Sequence, residues 1–119
     1  MTPLQFPLTV STRQPIDNRQ RTVYGTIMIK SFKHKGLQRF HERDDHSGLR
    51  PDLANVIQDI LTVLDEAVSP QELNLPGYRL HPLRGALKGY WAVTVRANWR
   101  IVFRFEGVNA VDVELVDYH

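Results

Sequence analysis

Between Pro51 and Val68 apolar side chains recur at helical spacing. Leu53, Val56, Ile57, Ile60, Leu61, Leu64 and Val68 form one stripe, and Asn55, Gln58, Asp59, Thr62 and Asp65 occupy the opposite face. Pro51 suits the first helical position, Asp52 suits the positive end of the helix dipole, and Ser69-Pro70 stops the helix. A shorter helix is predicted from Lys35 to Arg43, where Leu37 and Phe40 share a face before Asp44-Asp45-His46-Ser47-Gly48 breaks it.

Beyond the turn-rich connector Leu73-Asn74-Leu75-Pro76-Gly77 the period changes from helix to strand. A strand is predicted from Tyr78 to Leu83, followed by a loop over Gly85 to Gly89. Tyr90 to Arg96 sets Trp91, Val93 and Val95 against Ala92, Thr94 and Arg96. After a tight turn at Ala97-Asn98, Trp99, Ile101, Phe103 and Phe105 alternate with Arg100, Val102 and Arg104. Gly107-Val108-Asn109 turns the chain into a last strand, Ala110 to Val116, with Val111, Val113 and Leu115 opposed to Asp112 and Glu114. Near the start, Met28-Ile29-Lys30-Ser31-Phe32 suits a first strand. Residues 1–27, with Pro3, Pro7, Pro15 and no apolar period, read as a loose N-terminal extension, and Met28 as an alternative translation start. The predicted fold is α+β, with two N-terminal helices packed on a curled, mostly antiparallel sheet whose other face is wet.

At 119 residues the chain is one domain with a tail. It has no cysteine, which fits a reducing cytoplasm, and no apolar run approaches the roughly 18 residues of a membrane helix. The net charge of +2 conceals a segregation. From Leu73 to Phe105 there is no acid, only Arg79, Arg84, Lys88, Arg96, Arg100 and Arg104. From His41 to Leu75, Glu42, Asp44, Asp45, Asp52, Asp59, Asp65, Glu66 and Glu72 face only Arg43 and Arg50. A basic half on a near-neutral chain points to an anionic partner.

Two sites combine imidazole with other polar groups at predicted strand ends: His81-Pro82-Leu83-Arg84-Gly85 and Asp117-Tyr118-His119. Taken singly, His81 reads as a loop-holding histidine, Arg84 and Lys88 as solvated charges, and His119 as a frayed end. Together they supply what cleavage of RNA by its own 2′-hydroxyl requires. Histidine serves as base or acid near neutral pH, each role worth about 10²–10⁴ in rate. Arginine matches two phosphate oxygens, and Tyr118 suits stacking on a splayed base. His81, His119 and Asp117 match no zinc spacing, so neither metal nor any other cofactor is expected.

The stretch Met28-Ile29-Lys30-Ser31-Phe32-Lys33-His34-Lys35-Gly36-Leu37 resembles the opening of HigB-type toxins, a branch of the RelE superfamily. Leu75-Pro76-Gly77-Tyr78-Arg79-Leu80-His81-Pro82-Leu83, Gly89-Tyr90-Trp91 with Val95-Arg96-Ala97-Asn98-Trp99-Arg100-Ile101, and Asp117-Tyr118-His119 fit the same family in order and spacing. The resemblance spans Met28 to His119, which would be the RelE/HigB-like toxin domain. It implies a RelE-like fold and a metal-independent mRNA endonuclease acting in the ribosomal A site. It also implies a HigA-type helix-turn-helix antitoxin as partner, with operator DNA bound only through that antitoxin, and a cytoplasmic setting without membrane contact.

Carried over by residue, the resemblance makes His81, Arg84, Asp117, Tyr118 and His119 the catalytic set. Arg84 stands where relatives often carry Lys, so it keeps the charge but not the option of giving up a proton. Lys88, Arg96, Arg100 and Arg104 are the expected RNA contacts. Ala86-Leu87 departs from the polar residues expected in that loop, which bears on codon preference. Two other readings use the same residues: a non-catalytic, ParE-like toxin directed at gyrase, and a basic RNA-binding module without catalysis. The Asp117-Tyr118-His119 ending argues against the first.

Overall fold

The computed structural model describes residues 29–118. The extension over residues 1–27, Met28 and His119 lie outside the described residues. Among the described residues, two helices, α1 (Lys35–Arg43) and α2 (Ala54–Glu66), precede four strands, β1 (His81–Pro82), β2 (Trp91–Arg96), β3 (Trp99–Glu106) and β4 (Asn109–Asp117). The strands form one antiparallel sheet in the order β1-β2-β3-β4. No helix among them is long and apolar enough to cross a membrane.

The first helix has its predicted limits because both ends are capped. His34 Nδ1 accepts the Leu37 N–H at 3.1 Å, and Asp44 closes the C-terminus with φ of 58°. Gly36 faces the backbone of Gly48 so closely that a Cβ there would lie 2.8 Å from the Gly48 carbonyl oxygen. The second helix starts later than the pattern predicts. Pro51, Asp52 and Leu53 form a turn held by the Arg50 guanidinium, whose two N–H groups reach the Asp52 carboxylate at 3.1 and 2.9 Å. It also ends earlier, because Ala67 turns extended (ψ of 142°) ahead of Ser69-Pro70. Val68, predicted on the apolar stripe, is therefore exposed, and Ala67 is buried instead.

Leu37, Leu53, Ile57, Ile60, Leu64, Val93, Ile101, Phe103 and Val113 are almost wholly buried and belong to one hydrophobic cluster shared by helices and sheet. Each large apolar side chain removed from water contributes about 1.5–3 kcal/mol before entropy is counted. Within this core Asp65 accepts both the His41 Nε2–H, at 2.9 and 2.8 Å, and the Ile29 N–H at 3.2 Å. A buried carboxylate held this way ties α1, α2 and the first described residues together.

Three strand readings are corrected. Tyr78–Leu83 is a strand only at His81–Pro82. The segment expected as a first strand is not one. It lies beside β4 through a parallel Phe32–Val113 bridge, with Lys30 and Lys33 N–H groups donating to the Ala110 and Val113 carbonyls. Val111 is not on the core face. A register shift opposite Val102 and Arg104, with Asp112 at φ of 54°, inserts one residue into β4, so Ala110, Val113 and Leu115 face the core.

Candidate active site on the outer face of the sheet

The outer face, turned away from the helices, follows from register. His81 lies opposite Ala92, Ala92 opposite Val102, and Val102 opposite Glu114. Thr94 lies opposite Arg100, and Arg100 opposite Val116. Residues directly across antiparallel strands share a face, so His81, Thr94, Arg100 and Glu114 stand on one surface. From strand spacing, His81 and Arg100 are roughly 12 Å apart at Cα, two strands and two residues removed.

His81 is exposed, and its backbone is fixed twice: it precedes Pro82, which confines it to extended geometry, and it pairs with β2. Its ring is fixed as well, because Nδ1 lies 2.9 Å from the Arg79 carbonyl oxygen. A carbonyl only accepts, so Nδ1 is the donor, and in the neutral ring the lone pair is on Nε2. Upstream, Leu75-Pro76-Gly77-Tyr78 makes a turn, closed by Tyr78 N–H to the Leu75 carbonyl at 3.0 Å. Gly77, at φ of 87°, takes the position that requires glycine.

Arg100 is half-buried. One of its nitrogens donates to the Ala97 and Trp99 carbonyls at 2.6 and 3.0 Å, and its guanidinium carbon lies 6.0 Å from the Tyr118 ring centroid. The Tyr118 N–H donates to the Asn98 carbonyl at 2.8 Å, extending the β3–β4 pairing past Asp117. The fork is thus held by its backbone and laid toward an aromatic ring, an arrangement suited to a phosphate beside a stacked base. Arg84 and Lys88 flank a short 3₁₀ turn, Gly85–Leu87, beside β1. Both are exposed, and neither forms an ion pair among the described residues.

Two of the arginines expected on RNA lie elsewhere or are engaged. Arg96 sits past a register shift in β2 and approaches Asp52 at 3.7 Å, on the helix side of the sheet, where Arg50 also lies over Trp99 at 5.8 Å. Asp117 pairs with Trp99 at that same rim. Arg104 is on the outer face, but its Nε donates to Asp112 at 2.8 Å and its Nη2 to Glu106 at 2.9 Å. These bonds raise the Arg104 pKa further and hold the Asp112 carboxyl below its ordinary value. Tyr90 donates to Asp112 at 3.4 Å and accepts from Lys33 at 3.2 Å. One end of the outer face is therefore internally neutralised. At the other end Arg100 donates only to backbone carbonyls, while Arg84 and Lys88 lie in the loop that joins Leu83 to Tyr90, beside the neutralised end.

The structure thus brings His81, Arg100 and Tyr118 onto one surface, with Arg84 and Lys88 at its edge. Sequence reasoning missed Arg79, whose contribution is a carbonyl, and the neutralising set Lys33, Tyr90 and Asp112, which joins residues far apart in the chain.

Residues 30–119 match the family described as the RelE-like toxin of type II toxin-antitoxin system HigB. The chain is 48% identical over 92 residues to Endoribonuclease HigB of Proteus vulgaris, covering 77% of this chain and 100% of that protein. It is 34% identical over 80 residues to Toxin HigB-1 of Vibrio cholerae serotype O1, covering 66% and 84% respectively. The chain belongs to the RelE-like HigB toxins. Its helices, sheet and outer-face residues all lie within the span that the HigB family accounts for.

Proposed function

We propose that this HigB-family toxin is an endoribonuclease that cuts mRNA on the ribosome, with His81 as general base. The observation that carries the assignment is the His81 ring: it is exposed, and its Nδ1 is engaged by a backbone carbonyl, which leaves Nε2 of the neutral ring to accept a proton. The relative named Endoribonuclease HigB supports the same chemistry.

His81 Nε2 takes the proton of a ribose 2′-hydroxyl as that oxygen attacks the adjacent phosphorus. The bond to the 5′-oxygen breaks, leaving a 2′,3′-cyclic phosphate and, once His119 protonates the departing oxygen, a 5′-hydroxyl. Arg100 and Arg84 balance charge growing on the phosphate oxygens, and Lys88 holds a flanking phosphate, while Arg96, beside Asp52 on the helix side, stays off this surface. Tyr118 stacks on a base of the bound codon, and Asp117 orients an imidazole or reads a base edge. No step calls on a metal. A HigA-type helix-turn-helix antitoxin neutralises the toxin, reaches operator DNA on behalf of the pair, and shares its cytoplasmic setting.

Mapping mRNA 5′ ends after brief induction tests this reading. In-frame cuts within translated codons are expected for the unaltered protein and not for His81→Ala or His119→Ala. Cuts that persist in both variants would overturn the assignment of the site.

A further inference from the structure

The hydrogen bonds that join β1 to β2 contain an irregularity at Arg79. Leu83 N–H donates to the Tyr90 carbonyl at 2.9 Å, and His81 lies opposite Ala92. Continued regularly, that register would send the Thr94 N–H to the carbonyl of Arg79. It goes instead to the carbonyl of Tyr78, at 2.7 Å. Two residues, Tyr78 and Arg79, thus face Thr94 alone, and Arg79 adopts φ of 53°, a left-handed conformation that strains a non-glycine residue. The carbonyl released from the ladder is the one that meets His81 Nδ1. Backbone strain in a sparsely populated region persists when the surrounding structure fixes it, and here its product is a single hydrogen bond to an exposed imidazole.

We propose that the bulge at Tyr78–Arg79 makes Arg79 a positioning residue: its backbone carbonyl, not its guanidinium, locks His81 in the Nδ1–H tautomer and leaves Nε2 as the proton acceptor. The inference rests on the reading of His81 as general base and adds how that base is prepared. An exposed histidine has no burial to orient it, and free imidazole divides its proton between both nitrogens. A carbonyl held at hydrogen-bond distance removes both freedoms.

The test separates carbonyl from guanidinium and tautomer from rate. Three variants of the full chain are compared: Arg79→Gly and Arg79→Asn, which accept the left-handed backbone, and Arg79→Val, which resists it. Ring nitrogen shifts of ¹⁵N-histidine-labelled protein at alkaline pH report the tautomer, with the His81 signal identified by its absence in His81→Ala. Cleavage of ribosome-bound mRNA reports the rate. Arg79→Gly and Arg79→Asn are expected to keep the Nδ1–H signature and remain within a fewfold of the unaltered rate. Arg79→Val should shift the signal toward the tautomer mixture of free histidine while amide spectra stay dispersed, and should slow cleavage by at least about tenfold, part of the usual contribution of a general base. An unchanged tautomer in Arg79→Val overturns the inference, as does an equal loss of rate in Arg79→Gly with its tautomer intact. A shifted tautomer at unchanged rate would instead overturn the role of His81 as base, while supporting the hold that Arg79 has on its ring.

Discussion

His34 shows how one side chain serves the fold by staying neutral. Its Nδ1 must keep a lone pair to cap α1 through Leu37, and partial burial pushes its pKa below 6.5, outweighing the opposite pull of Glu114. With the folded value depressed, the contribution of His34 is fully present above the unfolded value near 6.5. It is lost as pH falls from there through the lower folded value. Melting temperature followed from pH 8 to 4 should decline less steeply in His34→Asn, which caps without titrating, than in the unaltered protein. Identical slopes would show that the cap survives protonation. Residue identity made His81 and Tyr118 legible in the sequence as candidate chemistry. What the Arg79 main chain does was not legible, because a carbonyl has no letter of its own and its direction depends on a bulge.

At the scale of elements, α1 and β3 were read with their observed limits because their patterns are uninterrupted. The errors fell where one local interaction overrides a period. The Arg50–Asp52 pair holds a turn where a helix was expected, and the extra residue in β4 turns Val111 away from the core. The contact of Gly36 with Gly48 was equally hidden, since the two glycines meet only when α1 folds back on the loop that follows it. Alanine in place of glycine within a helix normally gains up to about 1 kcal/mol. At Gly36 the added methyl would meet backbone at 2.8 Å, and forced repacking costs about 1–3 kcal/mol. Gly36→Ala should therefore lower stability in urea unfolding. A gain would mean that the Gly48 loop yields without cost.

For the whole molecule, the basic half read from the sequence resolves into two ends of one face. Arg104 shares that face with Arg100, yet its charge is matched by Asp112 and Glu106. If phosphate binding draws on unmatched charge, Arg100→Ala should reduce the salt dependence of single-stranded RNA affinity by about 0.7 in log–log slope, the value for one lost phosphate contact. Arg104→Ala should leave that slope unchanged and weaken the β3–β4 hairpin instead. Fluorescence anisotropy across a salt series distinguishes the two, and equal slope changes would return Arg104 to the RNA surface.

The position of residues 30–33 against β4 also sets an order of assembly. Ser31 bonds to Asp112, Lys30 N–H to Ala110 and Lys33 N–H to Val113, so the main chain of residues 30–33 finds these partners only in the last strand. A ribosome must have synthesised well beyond Val113 before those contacts can close, and the neutralised end of the outer face forms in the same step. A nascent chain halted before Asn109 would have both helices and His81 but neither Tyr118 nor the strand that anchors residues 30–33. Competence to cut and completion of the fold would then arrive together, late in the toxin's own translation.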